Sequence, residues 1–559
     1  MKKAVVLIFL CCLSATLLSC GGSNSTLVLI SPSSATVAEG TTLQFSANVP
    51  VTWSVSGDGV INSAGFFTAS NVAQTVTVTA TSTDASHSTA TATVTVAAAG
   101  TASTTTSTST SGIAHPVFVT NTYAGLLNIV NADNDTVSAN SITLGGAPTF
   151  MLQTADQAYE VIYNSSNHGL NQVTNSSDSI TAMLTLPGPI AGAQSSAVVP
   201  GATSIYAAIP TASALDNLGN LVTGSVYSPN FSTGGYLSVG VAGARFLSMD
   251  HSAVNMLVFS QNSDTVTWVY QTVATTTSGV TTTTRVALTN NTGTLNAQTL
   301  SGANCSFSRP VAAVFSDNDT TAYVLSSGPA NNGTQAMVTV LDMSQSLQTN
   351  TQTLPPQPTC VQSIPVSGAN VGLLPDITTG TSGTQLYVAG AQTAACTDGT
   401  GTCQQGVLTV INTSTNTAGN PVLFGPISPN LLPGVLTFDG TNLWIGSTGC
   451  QVSVNSQQGC LSLYFPATST AQTNPVPCVF VGENNTSSCT LLSTQTDDIT
   501  SMLWLQPFNG RKVMYVIEGG RLAAYSSSSN SLPTELTPLN EANMNLNISG
   551  TVGDIKAVK

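Results

Sequence analysis

Apolar and polar residues alternate along most of this 559-residue chain, in short runs that turn-forming residues separate. From residue 114 onwards one such run recurs eight times. Its third position is aromatic in six of the eight copies, although aromatic residues make up only 6% of the chain. Alternation with a period of two between turn signals predicts β-strands. The third positions of the copies are Phe118, Ile162, Tyr206, Leu257, Tyr323, Tyr387, Trp444 and Tyr515.

A second strand pattern follows the first in most copies, and the whole unit recurs every 44 to 71 residues. Such a repeat is typical of a β-propeller, so we predict that residues 114–559 form a propeller of seven or eight blades. Repeats of this length also predict long loops, such as 272–304 and 391–405. Thr551–Val558 has the pattern of a strand with no partner of its own, and we predict that it completes the first blade ahead of His115.

The first repeat resembles the YVTN family of propeller repeats, in Val119-Thr120-Asn121, in Leu127–Asn131 and in the run from Ile142 to Pro148. The resemblance implies the propeller fold. Propellers of this type sometimes carry lactonase, lyase or dehydrogenase sites in the central channel, so the resemblance leaves an enzyme open.

Residues 27–97 alternate in shorter strands and predict an antiparallel sandwich. The segment resembles the bacterial Ig-like group 2 domain in Pro32–Gly40, in the core-facing Trp53 and in GVINSAGFFTA at Gly59–Ala69. The resemblance implies a spacer or adhesive module. Residues 98–113 are dominated by Ser and Thr and predict a linker, since they cannot build a core. The fold class predicted for the whole chain is therefore all-β, with a sandwich followed by a propeller.

The first residues have the pattern of an export signal, with a basic start and an apolar run too short to span a membrane. Leu17-Leu18-Ser19-Cys20 resembles the lipobox of bacterial lipoproteins. This resemblance implies that residues 1–19 are removed, that Cys20 is lipidated, and that residues 20–26 form a tether to the membrane, with the outer membrane favoured. Ordinary secretion with Cys20 as a spare thiol is the alternative.

The charge balance narrows the choice of partners. The chain carries 10 basic and 24 acidic residues, for a net charge of −14. Nucleic-acid binding needs a basic face, so we expect no nucleic-acid partner.

Eight cysteines remain beyond Cys20 in the mature chain, and an even number in an exported protein predicts disulfides. Proximity along the chain suggests four pairs, although many other pairings are possible. A metal site is the alternative, but the mature chain contains no CxxC motif and its four histidines are scattered. The suggested pairs are Cys305 with Cys360, Cys396 with Cys403, Cys450 with Cys460, and Cys478 with Cys489.

The sequence contains few residue patterns that suggest a catalytic or metal site. Asp250-His251-Ser252 has the residue types of a catalytic triad, but neighbouring residues on a strand point to opposite faces, so we predict a turn. We expect no metal or cofactor, with calcium as an open alternative at the acidic turns. The repeated aromatic residues are predicted to pack blades together, the alternative being a platform that stacks sugars. The acidic turns contain Asp133, Asp135, Asp317, Asp319 and the pair Asp497-Asp498.

These observations favour a lipid-anchored cell-envelope or surface protein with a non-catalytic propeller. Its ligand could be a glycan, a cell-wall polymer or another envelope protein. A propeller enzyme, with or without a requirement for calcium, and a purely structural envelope component are the alternatives, because propellers host unrelated functions.

Overall fold

The computed structural model describes residues 28–97 and 113–558, with gaps. The predicted signal segment, Cys20 and nearly all of the linker lie outside these residues. The chain divides into two compact units, Met1–Thr104 and Thr105–Lys559, and the division falls within the predicted linker. The positions within the two ranges that are not described are 29, 32–33, 39–41, 48, 64, 71, 73, 85, 261–262, 290–291, 303–304, 329–335, 348–355, 369–373, 381–382, 397–398, 400, 451–457, 467–477, 481–497, 507–511, 527–533, 536–547 and 549–550.

The first unit consists of small sheets that share one core. The strands pair in the orders β2-β9-β8-β5, β3-β7-β6 and β1-β4. Phe45 and Phe67 meet Val78 and Val94 in the core, with Trp53 half-buried against them. Membership of the Ig-like group 2 family stays a prediction. The strands are β1 (Ile30–Ser31), β2 (Ser34–Ala38), β3 (Thr42–Gln44), β4 (Ser46–Ala47), β5 (Val51–Ser56), β6 (Gly59–Ile61), β7 (Phe66–Ala69), β8 (Gln74–Ser82) and β9 (Thr89–Ala97).

One pairing in this unit corrects the sequence prediction. Strand β2 pairs with β9 in parallel, with Ser34 opposite Thr93 and Ala38 opposite Ala97, whereas the alternation predicts an antiparallel sandwich. Alternation reports which face of a strand is buried but not its direction. A parallel neighbour needs a long crossover connection, which the strands between β2 and β9 supply.

The second unit is built from sheets that follow one another along the chain, each mostly of four antiparallel strands. We call these sheets blades 1 to 8. Strands of blades 1 to 4 are, for blade 1, β10 (Pro116–Asn121), β11 (Leu126–Asn131), β12 (Thr136–Thr143) and the C-terminal β43 (Val552–Ala557); for blade 2, β13 (Pro148–Gln153), β14 (Tyr159–Asn164), β15 (Gly169–Thr174) and β16 (Ser179–Thr185); for blade 3, β17 (Ser196–Val198), β18 (Ile205–Leu215), β19 (Leu221–Pro229) and β20 (Tyr236–Gly240); for blade 4, β21 (Ala244–Met249), β22 (Met256–Ser260), β23 (Val266–Thr277), β24 (Val280–Val286) and β25 (Thr294–Thr299).

The remaining blades continue the same order. Strands of blades 5 to 8 are, for blade 5, β26 (Pro310–Phe315), β27 (Thr321–Ser326), β28 (Met337–Asp342) and β29 (Thr359–Pro365); for blade 6, β30 (Leu374–Gly380), β31 (Gly383–Ala395), β32 (Thr402–Asn412), β33 (Thr417–Ala418) and β34 (Val422–Ser428); for blade 7, β35 (Leu432–Phe438), β36 (Leu443–Cys450), β37 (Gln458–Tyr464) and β38 (Cys478–Phe480); for blade 8, β39 (Ile499–Leu505), β40 (Val513–Glu518), β41 (Arg521–Ser526) and β42 (Thr534–Glu535). Regular helix in the described part of the chain is limited to two single turns, Ala193–Ser195 and Pro200–Ala202, and none of it is long and apolar enough to cross a membrane.

The blades form a closed ring. The first strands of blades 2 to 8 contact one another in sequence, and β43 contacts the first strands of both blade 8 and blade 2. One hydrophobic cluster lies between each pair of neighbouring blades, and these clusters also run through the full circle. In the described residues the ring is therefore an eight-bladed β-propeller, which decides between the seven and eight blades that the sequence predicted.

The C-terminal strand closes this ring as predicted. Strand β43 pairs antiparallel with β10, placing Val117 opposite Ala557 and Asn121 opposite Val552. Val552 and Ile555 are buried between blades 8 and 1. Ring closure pairs the edge of β10, which would otherwise be open to association with other chains.

Blade stacking explains why the middle of the repeat motif is apolar at consecutive positions. On β10, Val117 and Val119 pack toward blade 8, while Phe118 packs toward blade 2. A strand covered on both faces has no polar side, so it reads as a continuous apolar run. The third motif position is buried in all eight copies, which confirms the prediction that these residues pack blades together.

Two predicted loops are largely strands, which corrects the sequence analysis. Residues 272–304 contain the end of β23 and all of β24 and β25, and residues 391–405 form the tip of the β31–β32 hairpin. Both segments are rich in Thr, whose branched side chain favours extended backbone. Polar composition alone therefore did not distinguish a solvent-exposed hairpin from a loop.

Three disulfides join the cysteine pairs suggested by proximity. Cys396–Cys403 closes the tip of the β31–β32 hairpin, and Cys450–Cys460 links β36 to β37. Cys305–Cys360 ties the segment that leads into β26 to the outer strand β29, with 5.1 Å between the Cα atoms. The suggested pair 478–489 falls outside the described side chains.

Candidate functional site

The Asp250-His251-Ser252 segment is a turn, as the sequence predicts. The Asp250 carboxylate accepts the backbone N–H groups of Val254 at 2.7 Å and Asn255 at 3.0 Å, which closes the turn between β21 and β22. His251 Nδ1 instead lies 2.7 Å from Asp319 Oδ1 on the neighbouring blade. The three residue types therefore join two blades and do not form a catalytic chain.

The acidic turns proposed for calcium are distributed around the ring. Asp133 and Asp135 lie on the turn between β11 and β12 in blade 1, whereas Asp317 and Asp319 lie on the turn between β26 and β27 in blade 5. Asp133 Oδ1 is 2.7 Å from His115 Nδ1, and Asp135 accepts the hydroxyl of Tyr515 from blade 8.

Of the adjacent carboxylates Asp497 and Asp498, the structure describes only Asp498. Asp498 accepts the backbone N–H of Gly449, and Asp497 lies outside the described residues. Within the residues that the structure describes, no three metal-ligating side chains converge.

A fully buried arginine that the sequence analysis missed lies in blade 4. Arg285 Nη2 donates to the backbone carbonyl of Val254 at 2.9 Å, and its guanidinium carbon lies 5.0 Å from the Trp268 ring centre. Burial lowers the pKa of Arg285 to about 10, against the opposing effect of the Asp250 charge. The residue ties strand β24 to the Asp250 turn, so we assign it to the framework of the blade.

The residues at the closing strand form a second buried polar cluster. Asp554 Oδ2 accepts the backbone N–H of Met151 from blade 2 at 2.9 Å, and Asp554 Oδ1 accepts the hydroxyl of Ser501 from blade 8 at 2.8 Å. Lys556 Nζ lies 3.1 Å from Asp554 Oδ1. One carboxylate on the last strand therefore holds three blades together.

Glu160 lies beside this cluster and is fully buried. Its Oε1 accepts the Gln153 side-chain amide at 2.6 Å, and Gln153 Nε2 also donates to the backbone carbonyl of Ala557. Its Oε2 has no hydrogen-bond partner among the described residues. Burial raises the pKa of Glu160 to about 8, although hydrogen bonds from Gln153 and Asn175 oppose the shift.

Glu160 makes the stability of the propeller depend on pH. Its pKa is higher in the folded chain, about 8, than the ordinary value of 4.5. The contribution of Glu160 to stability is therefore complete below pH 4.5 and lost as the pH rises toward 8. We expect Glu160→Gln to remove this decline, which has an upper bound of about 5 kcal/mol. Chemical denaturation between pH 5 and 8 measures it.

The control for this experiment is Asp156→Asn in the adjoining turn. Asp156 is exposed, and hydrogen bonds from Thr154 and Ala158 hold its pKa below the ordinary value of 3.8. Its titration therefore lies below the tested range, and the variant should keep the wild-type slope. An unchanged slope in Glu160→Gln would contradict the assignment.

A cleft of about 300 Å³ lies between the β18–β19 hairpin of blade 3 and the outer part of blade 4. Its walls come from four separate segments of sequence, so no local sequence pattern predicts it. Asp216 is the one ionisable residue in the described lining. The lining residues are Asp216, Asn217, Leu218, Val222, Gly240, Val241, Ala242, Ser260, Thr265, Thr267, Ala297 and Thr299.

Side-chain and backbone hydrogen bonds fix the walls of this cleft. The Asn217 side chain bridges to the backbone of Ala297, donating to its carbonyl at 2.7 Å and accepting from its N–H at 3.0 Å. The Ser260 hydroxyl donates to the carbonyl of Ala242 at 2.7 Å, which joins the loop after β20 to blade 4. The β18–β19 hairpin of blade 3 is therefore held in place against blade 4.

Glycine at two positions allows the hairpin to approach the loop after β20. A Cβ on Gly240 would lie 2.6 Å from the carbonyl oxygen of Ala214 and from a methyl group of Val222. Gly224 has a φ of +105°, which other residues rarely adopt, and a Cβ there would overlap the backbone of Gly243. The close approach that shapes the cleft thus depends on the absence of these two side chains.

Comparison with known proteins gives a likeness of fold only. No protein-family model and no curated protein matches the chain. Among solved structures, it is similar to dihydro-heme d1 dehydrogenase NirN, at 10% identity and a TM-score of 0.45 over 75% of this chain and 73% of that one. It is also similar to the Dos1 propeller, at 10% identity and a TM-score of 0.42 over 70% and 86%. The Cps50 (Swd1) propeller domain of Myceliophteria thermophila matches at 9% identity and a TM-score of 0.37 over 69% and 98%.

Proposed function

We propose that this chain is a lipid-anchored cell-envelope protein whose propeller binds a ligand or envelope component without transforming it. The cleft beside the β18–β19 hairpin is the observation that carries the binding role. Its lining offers hydroxyl groups, backbone groups and aliphatic side chains. Concave sites with a few placed polar groups are the usual form of ligand pockets.

The side-chain contacts of the three described propeller histidines support binding over catalysis. His115 and His251 are paired with aspartates, and His168 Nδ1 lies 3.2 Å from the Tyr163 hydroxyl. Acid–base or nucleophilic catalysis needs such groups to converge on a substrate. Here they connect turns and blades, which leaves recognition as the function that the geometry supports best.

The anchoring part of the proposal is tested by Cys20→Ser in the full chain, expressed in a Gram-negative host. Two or more acyl chains give durable membrane attachment, so the wild-type chain should fractionate with the outer membrane and incorporate a labelled fatty acid. The variant should lose both properties. Cys12→Ser, within the predicted signal segment, is the matched control and should behave like wild type. Fatty-acid labelling that survives in Cys20→Ser would contradict the proposal.

The binding part is tested with the soluble Cys20→Ser chain and isolated cell envelopes. A specific receptor should give saturable co-sedimentation that unlabelled protein displaces. An unrelated acidic protein is the control for non-specific association. Sedimentation that does not saturate, or none at all, would overturn the binding role and favour a purely structural component.

A further inference from the structure

We propose that the cleft between the β18–β19 hairpin and blade 4 binds one residue of an uncharged sugar. This inference rests on the proposed binding function and names the ligand class. The cleft volume of about 300 Å³ lies at the lower end of the range for small-ligand pockets, which suits a single sugar ring.

The polar side of the cleft is a row of hydroxyl groups on blade 4. Thr267 on β23 lies directly opposite Thr299 on β25 in the antiparallel register, so their side chains share one face of the sheet. Neither the Thr267 hydroxyl nor the Thr299 hydroxyl forms a hydrogen bond with another described residue. A threonine hydroxyl both donates and accepts, which matches the hydroxyl groups of a sugar.

The hairpin and the loop after β20 contribute aliphatic side chains to the cleft. Leu218 at the hairpin tip is 86% exposed, and Val222 and Val241 also line the cleft. A sugar ring presents C–H groups on its faces, and removal of this surface from water is favourable. The neighbouring Asn217 is bonded to the backbone of Ala297, which fixes the hairpin tip that carries Leu218.

The charge at the cleft favours a neutral ligand over an anionic one. Asp216 Oδ1 accepts the backbone N–H groups of Leu218 at 2.9 Å and Asn220 at 2.8 Å, and Oδ2 accepts the Asn220 side chain. Hydrogen bonds from Asn220 hold the pKa of this carboxyl below its ordinary value, so it remains ionised. The described lining contains no basic residue to pair with an acidic sugar.

Calorimetric titration of the soluble Cys20→Ser chain with glucose, galactose, mannose and N-acetylglucosamine tests the inference. At least one of these sugars should bind. The double variant Thr267→Val/Thr299→Val keeps the side-chain shapes and removes both hydroxyls, and it should bind that sugar about tenfold more weakly or worse. Thr282→Val/Thr283→Val on β24 is the matched control outside the cleft and should bind like wild type. Matching thermal unfolding of the variants establishes that each is folded.

Three results would overturn the inference. These are equal binding by the Thr267→Val/Thr299→Val variant, binding of glucuronic acid as tight as that of the best-bound neutral sugar, and the absence of binding by every sugar in the panel. None of these results changes the outcome expected of the envelope co-sedimentation, which tests the proposed function independently. Saturable sedimentation together with a failed sugar panel would leave the proposed binding function standing and reject an uncharged sugar as its ligand.

Discussion

Deleting residues 551–559 is expected to prevent the propeller from closing and to leave an aggregating chain. The deletion removes the partner of β10 and the buried side chains of Val552 and Ile555. Each such side chain contributes about 1.5–3 kcal/mol on burial. The deletion also removes the Asp554 carboxylate, leaving the Met151 N–H and the Ser501 hydroxyl without their acceptor. The combined loss approaches the whole stability of a typical domain, about 5–15 kcal/mol.

Size-exclusion chromatography and thermal unfolding measure this effect. The control is a permuted chain in which residues 551–558 precede residue 113 through a short turn. This is feasible because β43 runs antiparallel to β10, and the chain should fold with its closing strand supplied from the other side. A truncated chain that stays monomeric with the wild-type melting temperature would show that the ring does not depend on the strand.

Replacing Cys305 and Cys360 together by Ala is expected to lower the stability of the propeller by about 4 kcal/mol. The bridge joins positions 55 residues apart, and closing a loop of this length removes much of the conformational freedom of the unfolded chain. The bridge also fixes the long segment before β26 against blade 5. Denaturant unfolding of the oxidised variant and wild type measures the difference.

The tip disulfide Cys396–Cys403 provides the internal comparison. Its partners are only 7 residues apart, so its removal should cost less, about 2.5 kcal/mol in the same treatment. Wild-type protein in reductant should lose at least as much stability as the Cys305/Cys360 variant. Equal stability of that variant and wild type would contradict a structural role for the longer bridge.

Features that depend on local pattern could be predicted from the sequence. Both faces of the second strand in each blade are buried, so the repeat motif and its aromatic position were visible as apolar runs. The closing strand Thr551–Val558 and the turn at Asp250 follow from alternation and turn chemistry. The three observed disulfides coincide with proximity along the chain.

Features that depend on distant contacts could not be predicted. Glu160 stands at the first position of the repeat motif on β14, but the groups that contact its carboxyl cannot be read from that segment. The surroundings of Glu160 and Arg285 come from other strands and, for Glu160, from the far end of the chain. The cleft has no local signature either. Its walls are assembled from the hairpin tip, the loop after β20 and two parts of blade 4, and only the ring brings them together.

The closing strand also determines when the ring can close during synthesis of the chain. Thr120 and Asp554, which are bonded in the finished ring, lie 434 positions apart. At a synthesis rate of roughly 5–20 residues per second, about 20–90 s separate the appearance of the two. During that interval the edge of β10 has no partner and remains open to other chains. The newly made chain therefore carries an unpaired strand edge until β43 has been synthesised, and its folding should be slow because the decisive contact is so distant in sequence.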